Sequence, residues 1–185
     1  MKKTVLLALC LTLALGCAIC PAETADGIEP AFEIIAVVPE GYTASPVSWA
    51  DPFKGYLTLE PQTEGMPHIS LFVSYNDSYS EITWNDDMPQ DAFEQSIAPL
   101  VINEETGEPI PYSITKTGLG TKVIHYELEG ACELYTIWHG YEVSLYAYHQ
   151  DGDTYTALTD EEMELVMQFL TDLDISMIIS ETPAV

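Results

Sequence analysis

The sequence predicts an α+β domain: an antiparallel sheet of about six to seven strands with helices packed on its faces. Three observations carry that expectation. The stretch TKVIHYELEGACELYTIWHGYEVSLYAYHQ, Thr121 to Gln150, reads as three strands joined by two-residue turns at Glu129-Gly130 and His139-Gly140. Each turn has glycine where a tight hairpin needs positive φ. Thr159 and Glu162 form a capping box ahead of an apolar stripe at helical spacing. Elsewhere, runs such as HISLFVSY at 68–75 alternate with the period of a half-buried strand.

Taken in order, the chain opens with Lys2 and Lys3, a mostly apolar run from Val5 to Ile19, and then small residues. That is the plan of a secretory signal over residues 1–22, with cleavage after Ala22. The competing reading is lipidation at Cys17, which follows Gly16. Either way the protein is expected outside the cytoplasm, secreted or held at the cell envelope. No later stretch is apolar over a length that spans a bilayer. Residues 23–30 read as a flexible leader, 31–179 as a single α+β domain and 180–185 as a tail. The C-x-x-C spacing of Cys17 to Cys20 falls in the leading segment, so it is not read as a redox motif. Of the four cysteines only Cys132 lies beyond residue 22, which predicts a mature fold held by its core and not by disulfides.

Charge narrows the partners. The chain carries 30 acids against five lysines, no arginine, and a net charge of −25. A field of that sign repels nucleic acid and anionic lipid headgroups and favours a cationic partner.

Ala31 to Val38 is apolar at successive positions, as a strand covered on both sides is. Gly55 to Glu60, His68 to Tyr75 and Pro111 to Thr117 read as further strands. Asp87 to Ala98 reads as a helix, with Asp87 as cap, Pro89 in the first turn and Pro99 as terminator. In the central meander, two-residue turns set Glu127 opposite Cys132 and Cys132 opposite Ala147. One face then collects Val123, His125, Glu127, Cys132, Leu134, Thr136, Val143 and Leu145. The other collects Tyr126, Tyr135, Tyr146 and Tyr148. Met163, Val166, Met167, Leu170 and Leu173 form the stripe of the last helix, which is expected to seal the aliphatic face.

Strong catalytic signatures are absent from the sequence: no G-x-S-x-G, no H-E-x-x-H and no phosphate-cradling glycine loop. Cys132 shares a face with His125 and Glu127, the types a thiolate nucleophile, its base and an orienting acid require; a small buried hydrophobe is the plainer reading of that cysteine. The tyrosine face, Tyr126, Tyr135, Tyr146 and Tyr148, offers flat rings to a sugar, a peptide or a cation, or else forms a second core layer beneath the 87–98 helix. Trp49 and Trp84 fall in expected loops, where aromatics can anchor a partner, although a loop tryptophan more often folds back onto the domain. Asp77, Asp86, Asp87, Asp151 and Asp153 sit in oxygen-rich loops of the kind that suit Ca²⁺, without matching an EF-hand loop.

An exported leader, "VVPEGY" at 37–42, "GLGTKVIHY" at 118–126, the meander and the closing helix "LTDEEMELVMQFLTDL" together resemble the bacterial relatives of the Mog1/PsbP-like α/β/α sandwich. The likeness runs from Phe32 to Ile178. It implies an antiparallel sheet with helices on both faces and a lean toward protein interaction. The function expected is a non-enzymatic exported module that binds a protein or small ligand. The alternatives are a thiol-dependent enzyme centred on Cys132 and a Ca²⁺-binding extracellular domain.

Overall fold

The computed structural model describes residues 28–103, 106–117, 120–151 and 154–177. The expected signal, Cys17, Asp153 and the tail lie outside them. Eleven strands and two α-helices follow in chain order: β1 (Phe32–Ile35), β2 (Tyr42–Ala44), β3 (Ser48–Asp51), β4 (Lys54–Pro61), β5 (His68–Tyr75), α1 (Gln90–Ile97), β6 (Tyr112–Lys116), β7 (Lys122–Leu128), β8 (Ala131–Trp138), β9 (Tyr141–Asp151), β10 (Thr154–Thr156), α2 (Asp160–Thr171) and β11 (Asp174–Met177). The main sheet is antiparallel with the order β2-β4-β5-β9-β8-β7-β6; β3 is attached to β4 and β10 to β9. It is broader than the six or seven strands expected, because β2, β3 and β10 are too short to leave a periodic signal.

The meander has the register that its turns dictate. Glu127 pairs with Cys132, and Cys132 with Ala147. Both turns are left-handed at both central residues: φ is 54° and 86° at Glu129 and Gly130, and 50° and 84° at His139 and Gly140. That is the type I′ geometry, whose twist matches the strands it joins. Leu134 and Leu145 face each other, both fully buried.

Two clusters pack on opposite faces. On the first, Val123, Cys132, Leu134, Val143, Leu145 and Ala147 lie under Val166, Phe169 and Leu170 of α2. Thr159 caps α2: its hydroxyl accepts from the Glu162 amide, while the Glu162 carboxylate accepts from the Thr159 amide at 2.8 Å. His149 Nε2 lies 3.0 Å from the same carboxylate and ties the cap to β9. Burial raises the Glu162 pKa, but the Thr159 amide and hydroxyl and His149 outweigh it and hold the group below its ordinary value. On the second face, Phe93 and Ile97 of α1 pack with Trp84 on Ile124, Tyr126, Tyr135 and Ile137.

Three local expectations are corrected. Residues 31–38 do not enter the main sheet. β1 pairs with β11 in a separate two-stranded ribbon, Phe32 opposite Met177, which sets Phe32 and Ile34 in the first-face core and leaves Glu33 exposed. The first helix begins at Gln90, and Asp87 does not cap it. Asn85 Oδ1 accepts from the Asp87 and Met88 amides instead, and the turn so formed delivers the chain to Pro89. Trp49 is not in a loop; it lies in β3, buried, with the Phe32 ring 4.8 Å away edge-on.

Candidate functional site

Side chains alternate across a strand, so the second face of the sheet can be followed row by row. Tyr112, Tyr126, Glu133, Tyr146, Ser70 and Thr58 form one row from β6 to β4; Ile114, Ile124, Tyr135, Ser144, Phe72 and Tyr56 form the next. The α1 cluster covers the β7 and β8 end of these rows and stops there. Beyond it no described element covers the face, and it is aromatic. Tyr56 is 44% exposed and Tyr146 40%, while Phe72, His68 and Tyr148 are half-buried. The rings touch one another across strands: Tyr56 and Phe72 at 4.9 Å, His68 stacked on Tyr148 at 5.7 Å, and Tyr148 against Tyr155 of β10 at 4.6 Å.

Carboxylates border this surface. Glu60 lies 3.6 Å from His68, and Glu142 accepts from the Tyr135 hydroxyl at 2.9 Å. Glu133 is buried between Tyr126 and Tyr146 in its row. Burial raises its pKa, although the two neighbouring tyrosine hydroxyls draw it back. Tyr146 is in turn pushed up to about 12 by burial and by the Glu133 charge, and Tyr148 is raised by burial, Tyr155 and Glu60. Negative charge is thus set at the foot of a ring platform, an arrangement that attracts cations by field and by the ring faces together.

The four tyrosines expected to act together are divided by the fold. Tyr126 and Tyr135 are buried under α1 and belong to the core, so as surface ligand-binding residues they are corrected; Tyr146 and Tyr148 stand in the open half. Trp49 and Trp84 are corrected as well. They are 4% and 0% exposed and pack in the first-face and second-face clusters, where they cannot anchor a partner. The residues missing from the sequence reading are Tyr56, His68, Phe72 and Tyr155. For the first three the signal was the alternation within 55–60 and 68–75, which gives the face of each residue but not which strands adjoin β9; Tyr155 stands in a three-residue strand that leaves no periodic signal.

The Cys132 constellation is not assembled as a nucleophile. Its thiol is fully buried, 3.9 Å from the Met163 sulfur, and burial, helped by the Glu127 and Glu133 charges, pushes its pKa up to about 12. An attacking thiol needs the opposite shift. His125 turns Nδ1 toward the Ser113 hydroxyl at 3.4 Å, and Glu127 is exposed. In the native protein, Cys132 should therefore resist iodoacetamide until denaturant is added. Stoichiometric labelling of the folded chain, read by mass spectrometry, would revive the thiol reading.

Among the described residues no three His, Cys, Asp or Glu side chains come together as metal ligands. Asp86 is engaged by Lys116, whose Nζ lies 2.6 Å from its Oδ1, and that cation lowers its pKa. Asp77 opens a short 3₁₀ turn, and Asp151 ends β9. A cavity of about 80 Å³ beneath the end of α2 is lined by Thr117, Thr121, Thr136 and Asp174 among apolar neighbours. Thr136 donates to the Lys122 carbonyl and Thr117 accepts from the Thr121 amide, so two of those hydroxyls are spent on the backbone. No helix among the described residues is long and apolar enough to cross a membrane. The chain matches no protein-family model, no curated protein and no solved structure.

Proposed function

We propose that the protein is an exported, non-enzymatic binding module that takes a cation-bearing ligand on the open aromatic half of its sheet. The observation that carries this reading is the unequal cover of the second face. One half lies under α1; the other, which no described element covers, has Tyr56 and Tyr146 exposed and Phe72 and Tyr148 half-buried among carboxylates. Rings that served only as core would lie under an element, and exposed aromatics grouped this way are a frequent basis of recognition surfaces. The net charge of −25 draws cationic ligands toward the surface, and the rings supply the contact. The Mog1/PsbP-like resemblance belongs to the same reading. An antiparallel sheet with a helix on each face supports it, as does the interaction role of that family's members.

Titration calorimetry of the full chain with octa-arginine tests the proposal. Binding should weaken steeply with added salt, and the Tyr56→Ala, Tyr146→Ala double variant should lose about tenfold in affinity, the worth of two exposed cation–ring contacts. Both rings are exposed, so the variant is expected to fold. An affinity unchanged in the double variant, or tighter binding of a neutral oligosaccharide than of octa-arginine, overturns the reading.

A further inference from the structure

The sheet has two ends, and they are finished differently. At one end β2 offers three residues, and β3 is bulged between Trp49 and Asp51. Short and bulged strands are how proteins protect an edge. At the other end β6 is a regular strand, YSITK, paired in unbroken register with β7 from Tyr112 opposite Tyr126 to Lys116 opposite Lys122. Among the described residues no strand lies on its outer side, and all five of its residues are exposed. An antiparallel strand turns alternate N–H and C=O groups outward, so this side of β6 is a template for one more strand.

The two side-chain sets of β6 face unlike surroundings. Ser113 and Thr115 point to the first face, where a groove of about 780 Å³ separates β6 from α2. Along that groove α2 presents the carboxylates of Asp160, Glu161 and Glu164, with Met163 and Met167 between them. Lys116, also on the groove, has its ammonium engaged by Asp86. Tyr112 and Ile114 point to the second face and are 41% and 47% exposed, large apolar groups beside an edge that no described element covers. An added strand would meet acids on one side and apolar surface on the other, residue by residue.

We infer that β6 accepts an extended segment of a partner protein as an additional strand, and that the segment alternates basic and apolar side chains. Its basic residues lie over Glu161 and Glu164 with their aliphatic stems on Met163 and Met167; its apolar residues flank Tyr112 and Ile114. Backbone pairing supplies the affinity and the alternation supplies the selectivity, as in strand addition generally. A second copy of this chain is the wrong occupant, because it would bring its own acidic groove against this one at a net charge of −25 per chain. This surface lies at the opposite end of the sheet from the open aromatic half, and the inference does not depend on that half taking a ligand.

The test uses the full chain and an acetylated, amidated (Lys-Val)₄ peptide, with (Glu-Val)₄ and a Lys-Lys-Val-Val block peptide as controls. Hydrogen exchange read by mass spectrometry should show new protection in a peptide fragment spanning Tyr112–Lys116 when (Lys-Val)₄ is bound. The block peptide should bind more weakly and (Glu-Val)₄ not at all. Glu161→Gln with Glu164→Gln, both on the exposed side of α2, should weaken by about tenfold the binding that is read as protection of Tyr112–Lys116. Protection confined to β4, β5 and β9, equal binding of alternating and block peptides, or an affinity indifferent to the two glutamines overturns the inference. So does a chain that dimerises through β6 without any peptide, seen as β6 protection that disappears on dilution.

Discussion

Trp84→Ala is expected to lower the unfolding free energy by about 4 kcal/mol, in the range of large aromatic truncations from a packed core. The ring is fully buried, edge-on to Phe93 at 5.1 Å and tilted against Tyr135 at 5.5 Å. The cavity cannot close easily, because the backbone on which the ring stands is fixed. The Trp84 amide donates to the Ile137 carbonyl, and its own carbonyl accepts from the Lys122 amide. The segment is pinned to two strands of the meander, so the neighbours have little freedom to collapse inward. Among the described residues the indole N–H has no partner, so Trp84→Phe should retain more stability than a tryptophan with a bonded N–H would allow. Urea unfolding followed by circular dichroism measures both. A loss below about 1.5 kcal/mol for the alanine variant would mean that the second core layer is not cooperative with the sheet.

The second large effect is expected at Gly130. Its φ of 86° is strained for any other residue, and a Cβ there would lie 2.8 Å from the Tyr155 carbonyl carbon and 3.2 Å from the Thr156 nitrogen. Those are backbone atoms of β10, which cannot rotate away as a side-chain tip could. Gly130→Ala should therefore cost about 3 kcal/mol, part from the left-handed backbone and part from pushing β10 off the turn. Gly107 separates the two parts. Its φ is 72° with no described atom within 4 Å of the missing Cβ, so Gly107→Ala should show the backbone cost alone, about 1 kcal/mol. Equal losses at the two positions would remove the argument that β10 is seated on the β7–β8 turn.

What the sequence disclosed was whatever is settled within a few residues. A glycine at the second position of each two-residue turn fixes the register of three strands, and from the register follow the faces of Cys132, Leu134 and Leu145. Thr159, Glu162 and the stripe from Met163 fix α2 in the same local way. The parts that stayed hidden depend on partners far along the chain. Phe32 reads as a residue of a central strand because its neighbours are apolar; that its partner is Met177, at the far end of the domain, has no local trace. Asp87 and Asn85 are both good capping types, and only the observed turn shows that Asn85 takes the amides. The tyrosine face was legible as a face. Its division into covered Tyr126 and Tyr135 and open Tyr146 and Tyr148 turns on where α1 comes to rest, and on the placement of β5 and β4 beside β9. Periodicity along one strand carries neither fact. Trp84 illustrates the same limit, since a tryptophan in a connecting segment reads alike whether it folds inward or reaches for a partner.

The β1–β11 ribbon has a mechanical consequence. Phe32 is opposite Met177 and Ile35 opposite Asp174, so the start of β1 and the end of β11 lie side by side at one end of the ribbon. Tension applied across those ends would part the two strands like a zipper, each cross-strand pair taking the full strain in turn, whereas a shearing pull would have to break all four together. Along that axis the molecule yields first at its clasp, and the wide sheet behind it feels the force only afterwards.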